Sequence, residues 1–132
     1  MNTQTDVALI LWNPDVIQLV SLVLFQSNLK CCGAEPSDGV HAIEDLIGSS
    51  GSSVVVFDLA PPYERSSDIV LSLLDRFPDC SFVMTCADKG LALKRVPWLA
   101  GFPLLQKPYE MDEISRTVRG MARRAMASIA VV

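Results

Sequence analysis

The sequence is poor in the residues that build metal and redox centres. Its 132 positions hold four cysteines and a single histidine, His41. That cysteine content lies far below the roughly 8–10% of a disulfide scaffold. No Cys-x-x-Cys pair occurs, and His41 stands well apart from Cys31 and Cys32, so a structural zinc site is excluded. Basic charge is also scarce: 11 Lys and Arg stand against 15 Asp and Glu, for a net charge of −4. The broad basic footprint of an autonomous nucleic-acid binder is therefore missing. The most apolar stretch, Val16–Phe25, is interrupted by Gln18 and Ser21 and is too short to cross a bilayer. Met1–Val7 carries no basic side chain ahead of the first apolar run, unlike a secretory signal. Neither a Gly-x-Gly-x-x-Gly run nor a Walker pattern is present, which argues against a phosphate-cradling loop. Together these absences predict a reduced, cytoplasmic protein with no membrane and no nucleic acid among its direct partners.

What is present suits a dense core. Half the residues are hydrophobic and a fifth are charged, which excludes disorder. The length predicts one domain, over residues 1–124, with 125–132 as a C-terminal tail. Val7–Trp12 reads as a buried strand, and Asn13-Pro14 as a helix start with Asn as cap and Pro at the first helical position. That helix runs to about Gln26. A weaker strand follows at Leu29–Ala34, then a helix whose core face is Val40, Ile43, Leu46 and Ile47. Gly48–Ser53 reads as a loop. Val54-Val55-Val56-Phe57 lacks alternation and is β-branched, as expected for a central parallel strand covered on both faces. Ser66 or Ser67 is expected to cap the third helix. Ser81–Thr85 is a fourth strand, Asp88–Arg95 a short helix stopped near Pro97, and Leu104–Gln106 a fifth strand. The last helix opens acidic, with Glu110, Asp112 and Glu113, and closes basic, with Arg119, Arg123 and Arg124, matching the helix dipole. Five alternations of strand and helix predict a single doubly wound parallel sheet, an α/β fold.

In such sheets, function gathers beyond the carboxyl ends of the strands. Those ends carry Trp12-Asn13, Asp58, Thr85 and Lys107-Pro108. A carboxylate, a hydroxyl and an ammonium converging on one crevice are suited to hold a phosphoryl group. Each also has an ordinary reading: Asp58 as a turn cap, Thr85 as a β-branched strand residue, Lys107 as the ion-pair partner of Asp58.

Over nearly its whole length, from about Val7 to Met121, the chain resembles the receiver domain of two-component response regulators. Val54–Pro62 resembles that family's phosphoacceptor strand and loop, Phe82–Ala87 its strand with the switch hydroxyl, and Leu104–Tyr109 its lysine–proline strand end. The resemblance implies a flavodoxin-like (βα)5 fold of strand order 2-1-3-4-5, phosphorylation at Asp58, movement of Thr85 towards the phosphoryl group, neutralisation of an oxygen by Lys107, and a cis Lys107–Pro108 peptide. It also implies a histidine kinase or phosphotransfer protein as partner.

Three departures separate the chain from that family. Where two acidic residues normally end the first strand and hold Mg²⁺, Leu11 and Trp12 stand instead. Mg²⁺ requires oxygen ligands. Asp58 and Asn13 would be the only donors left, so no cofactor or metal is expected, and Trp12 is expected to fill the vacated space. Leu104 occupies the place of the family's rotating aromatic. Pro97 cuts the fourth helix short.

These departures suggest a degenerate receiver that signals by protein contact and is not an enzyme. The alternatives are a working receiver phosphorylated on Asp58 and, from a different class, a flavodoxin-like protein binding a nucleotide or flavin. The first helix is apolar on more than one face, with Leu22 expected at the surface. Val16, Leu22 and Arg119 are the candidate partner-docking residues, with homodimerisation through the first or last helix as a second use of the same surface.

Overall fold

A computed structural model describes residues 4–131, with side chains described through Ala125. Five parallel strands form one sheet in the order β2-β1-β3-β4-β5. The strands are β1 (Val7–Ile10), β2 (Cys31–Ala34), β3 (Val54–Asp58), β4 (Ser81–Cys86) and β5 (Leu104–Gln106), and the helices are α1 (Pro14–Phe25), α2 (Val40–Ser50), α3 (Tyr63–Arg76), α4 (Lys89–Arg95) and α5 (Met111–Val131). Short 3-10 turns at Pro36–Asp38 and Pro97–Gly101 complete the chain.

The pleat distributes the core between two layers. Val7, Leu9, Leu11, Val54, Val56 and Val83 face α1 and α5, where they meet Val20, Leu24, Ile114 and Val118. Ala8, Ile10, Val55, Phe57, Phe82 and Met84 face the opposite layer, with Ile43 and Ile47 of α2, Val70 and Leu73 of α3 and Ala92 of α4. Every residue of β1 and β3 is buried, the condition that explains their unbroken apolar runs. Cys31 and Cys32 join opposite layers, as adjacent strand residues must.

Asn13 caps α1 as expected: its side-chain oxygen accepts from Asp15 N at 2.9 Å, and Pro14 opens the helix. Two local expectations are corrected. Gly48–Ser50 is helix, because Ser49 and Ser50 return their hydroxyls to the carbonyls of Leu46 and Ile47; the helix stops at Gly51, whose φ of 68° is the left-handed geometry that glycine adopts freely. Neither Ser66 nor Ser67 caps α3. The helix starts four residues before Ser67, at Tyr63, preceded by Pro62 in extended geometry. Ser66 instead accepts from Ala60 N at 3.1 Å, tying the loop after β3 to the helix, and Ser67 donates to Glu64 O. Asp88 caps α4, accepting from Leu91 N, and the helix ends two residues before Pro97. The α5 helix continues through positions 125–131, the segment read as a tail. No helix among the described residues is long and apolar enough to cross a membrane.

Candidate functional site

The parallel register puts the chemistry-bearing residues on one edge of the sheet. Asp58 ends β3 and pairs in register with Thr85 of β4. Lys107 directly follows β5 and is bound to β4 through its backbone N–H to Cys86 O at 2.8 Å. Thr85 is fully buried and Asp58 is 2% exposed. A buried carboxylate requires partners, and this one has three. Thr85 Oγ1 donates to Oδ1 at 3.0 Å. Lys107 Nζ donates to Oδ2 at 2.7 Å, and the backbone N–H of Trp12 reaches the same oxygen at 3.3 Å. The sequence-predicted trio is thus one hydrogen-bonded cluster, and the ion-pair reading of Lys107 is realised alongside the converging one. The Lys107–Pro108 peptide is cis, as is Pro61–Pro62 in the loop after β3.

Above Asp58 lies a pocket of about 340 Å³ lined by Leu11, Asn13, Val16, Asp58, Lys107, Pro108, Tyr109 and Met111. Its floor is the ion pair and most of its wall is hydrocarbon. Tyr109 is half-buried here; burial, and then the nearby Asp58 charge, push its phenol pKa above the usual value. Both causes disfavour a phenolate.

These residues do not fit a divalent cation. Of the groups at the site, only Asp58 offers a carboxylate, and both of its oxygens already accept hydrogen bonds. Asn13 has its side-chain oxygen committed to the α1 cap. Leu11 presents hydrocarbon where a ligand oxygen would be needed. Among the described residues no group of three His, Cys, Asp or Glu side chains is placed to hold a metal. The Lys107 ammonium supplies the positive charge that the Asp58 carboxylate requires.

Trp12 does not fill the space above Asp58. It is 41% exposed and lines a separate recess with Pro36, Ala60, Pro61, Pro62, Arg65, Ser66 and Ile69. Successive residues of an extended chain point to opposite sides. Leu11 turns towards the α1–α5 layer and is buried there, while Trp12 points away over the prolines.

The three docking candidates occupy different environments. Leu22 is 60% exposed on an outer α1 face that also carries Leu19 and Phe25. Val16 is half-buried, packs with the core beneath α1 and α5, and belongs to the Asp58 pocket wall. Arg119 is half-buried, its Nε donates to Ser115 O at 3.3 Å, and it lines a surface groove with Ser27, Leu29, Ala122 and Arg123. The cysteines lie away from the site or are protected. Burial, aided by the Cys32 and Asp6 charges and opposed by a Ser21 hydrogen bond, pushes Cys31 up to about 12. Burial also raises Cys80 and Cys86.

Sequence reasoning missed two parts of this site. The Trp12 N–H contact is a backbone interaction and leaves no trace in side-chain identity. The pocket walls come from Pro108, Tyr109 and Met111, whose convergence depends on how the segment after β5 enters α5; the run Lys107–Met111 was the available signal.

No protein-family model and no curated protein sequence matches the chain. Solved structures do, at low identity and nearly full length. A two component transcriptional regulator AraC from Clostridium phytofermentans superposes with a TM-score of 0.76 at 13% identity, covering 98% of this chain and 100% of that one. A response regulator from Thermotoga maritima gives 0.72 at 19% identity over 91% and 98%. A response regulator receiver domain protein from Clostridium thermocellum gives 0.73 at 14% identity over 93% and 98%. The fold is that of response regulator receiver domains, and the strand order 2-1-3-4-5 agrees with the expected one.

Proposed function

We propose that this chain is a receiver-type signalling module that works by protein contact, in the cytoplasm, without a Mg²⁺-dependent phosphotransfer cycle and without catalytic turnover of its own. One observation carries the reading. The carboxylate that would accept a phosphoryl group is buried, hydrogen-bonded at both oxygens and paired with Lys107 at 2.7 Å, with the hydrocarbon of Leu11 lining the pocket beside it. Phosphoryl transfer to a carboxylate relies on positive charge that bridges the attacking and leaving oxygens. A lone ammonium already spent on the acceptor supplies little of it.

The outer face of α1 supports the contact half of the reading. Leu19, Leu22 and Phe25 are each about half exposed or more, and Arg119 and Arg123 line a groove beside Leu29. An apolar strip with cationic neighbours suits a partner helix that is apolar with an acidic margin. A histidine kinase, a phosphotransfer protein or another signalling protein would dock there, and a second copy of this chain is the alternative occupant.

A second reading has its own support, since Asp58, Thr85 and Lys107 are placed as a phosphorylatable receiver requires. Intact mass after incubation with acetyl phosphate separates the two. With Mg²⁺ present, the wild-type chain should gain no phosphoryl group while an ordinary receiver is labelled in parallel. One added group that disappears without metal and in Asp58→Ala would establish a working receiver.

A further inference from the structure

We infer that the pocket above Asp58 is a binding site for a small, uncharged, largely apolar molecule carrying one carbonyl-type acceptor oxygen. The inference rests on the contact-signalling reading, and it names what would regulate the module at the site where phosphate would otherwise act.

The pocket has the dimensions of a ligand site: about 340 Å³, within the roughly 300–1,000 Å³ typical of small-molecule clefts. Leu11, Val16, Pro108 and Met111 supply its hydrocarbon wall, and Tyr109 adds an aromatic ring. The sequence departure that removes a metal ligand, leucine at position 11, is the same one that makes the wall apolar.

The polar groups that remain available select the ligand's polar end. Both Asp58 oxygens already accept hydrogen bonds, from Thr85, Lys107 and Trp12 N–H, which takes three of a carboxylate's roughly four acceptor sites and leaves little for a donor-bearing ligand. Lys107 is different. An ammonium has three N–H bonds, one of them goes to Asp58, and the side chain is 40% exposed. Asn13 is also one-sided: its oxygen accepts from Asp15 N, which leaves its NH₂ as the unspent group. The pocket therefore offers donors. It favours neither charge in a ligand, because Asp58 and Lys107 neutralise each other at 2.7 Å and a charged group would lose hydration on an apolar wall with no net opposite charge to meet it. An uncharged acceptor oxygen meets the Lys107 N–H without that penalty, while the rest of the molecule lies against Val16 and Met111.

Three monosubstituted benzenes test this: acetophenone, benzoate and benzylammonium, titrated into the ¹⁵N-labelled 132-residue chain and followed by amide chemical shifts. Acetophenone should shift Leu11, Val16, Tyr109 and Met111 along saturating curves. Benzoate and benzylammonium should bind roughly 3- to 10-fold more weakly or not at all, the discrimination expected of one hydrogen bond or of desolvating one uncompensated charge. Val16→Trp, which fills the wall, should abolish the acetophenone shifts while leaving the rest of the spectrum folded. Lys107→Met should weaken acetophenone towards the level of the other probes. Tightest binding by benzylammonium would overturn the inference by making Asp58 the anchor, and benzoate equal to acetophenone would overturn the uncharged class. Absence of any saturating shift, or shifts confined to Leu22 and Phe25 on α1, would overturn the site itself. None of these results bears on acetyl phosphate labelling, so the contact-signalling reading stands or falls separately.

Discussion

At the scale of single residues, the pairing of Asp58 with Lys107 is asymmetric, and the asymmetry is measurable. The carboxylate is buried, whereas the lysine side chain is 40% exposed. Removing the lysine leaves a charge in a poor solvent; removing the acid leaves an ammonium that water can still reach. Lys107→Met should therefore destabilise the protein by about 1–3 kcal/mol, below the figure for breaking a fully buried pair because of solvent screening. Asp58→Asn keeps the shape and should cost about 1 kcal/mol or less. Urea unfolding of both variants and of the double variant gives the coupling directly. Equal losses from the two single changes would mean that Thr85 and the Trp12 N–H, not Lys107, hold the carboxylate.

At the scale of elements, close approach matters more than propensity. The α1 helix packs so tightly over β2 that a Cβ built on Gly33 would lie 2.6 Å from Ile17 Cγ2. Ile17 is β-branched and cannot swing aside within a helix. Gly33→Ala should destabilise by about 1–3 kcal/mol. Combined with Ile17→Ala it should cost less than the sum of the single changes, which thermal or urea unfolding would reveal. Nothing in the sequence around Gly33 signals this conflict, since it involves a residue sixteen positions earlier and exists only once α1 is docked. The strands themselves were legible because burial on both faces imposes unbroken apolar runs at Val54–Phe57. Element ends were less so. Ser49 and Ser50 extend α2 by bonding back to its carbonyls, and Ser66 serves the preceding loop instead of its own helix. A serine's local sequence does not say which of several nearby backbone groups it will satisfy. The site divides the same way: Asp58, Thr85 and Lys107 could be read from strand ends, whereas the outward turn of Trp12 and the inward turn of Leu11 follow from the phase of β1 against its neighbours.

At the scale of the whole molecule, the absence of carboxylates at Leu11 and Trp12 should show in how the fold's stability responds to metal. Anything that binds only the folded state raises its melting temperature by mass action. A metal site with a Kd about tenfold below the ion concentration would add about 1.4 kcal/mol, or about 4–6 °C for a chain of this size. Differential scanning calorimetry in millimolar Mg²⁺ and in EDTA should instead give coincident transitions. A metal-dependent rise of several degrees would show that other oxygens complete a site. The cluster at the sheet edge also has a temporal consequence. An acyl phosphate carries its own clock, because the bond hydrolyses at a rate fixed by its surroundings. On the contact-signalling reading proposed above, the domain has no such timer, and its signal lasts as long as the molecule docked upon it stays. The half-life of the message becomes a dissociation rate, set by the surfaces that meet.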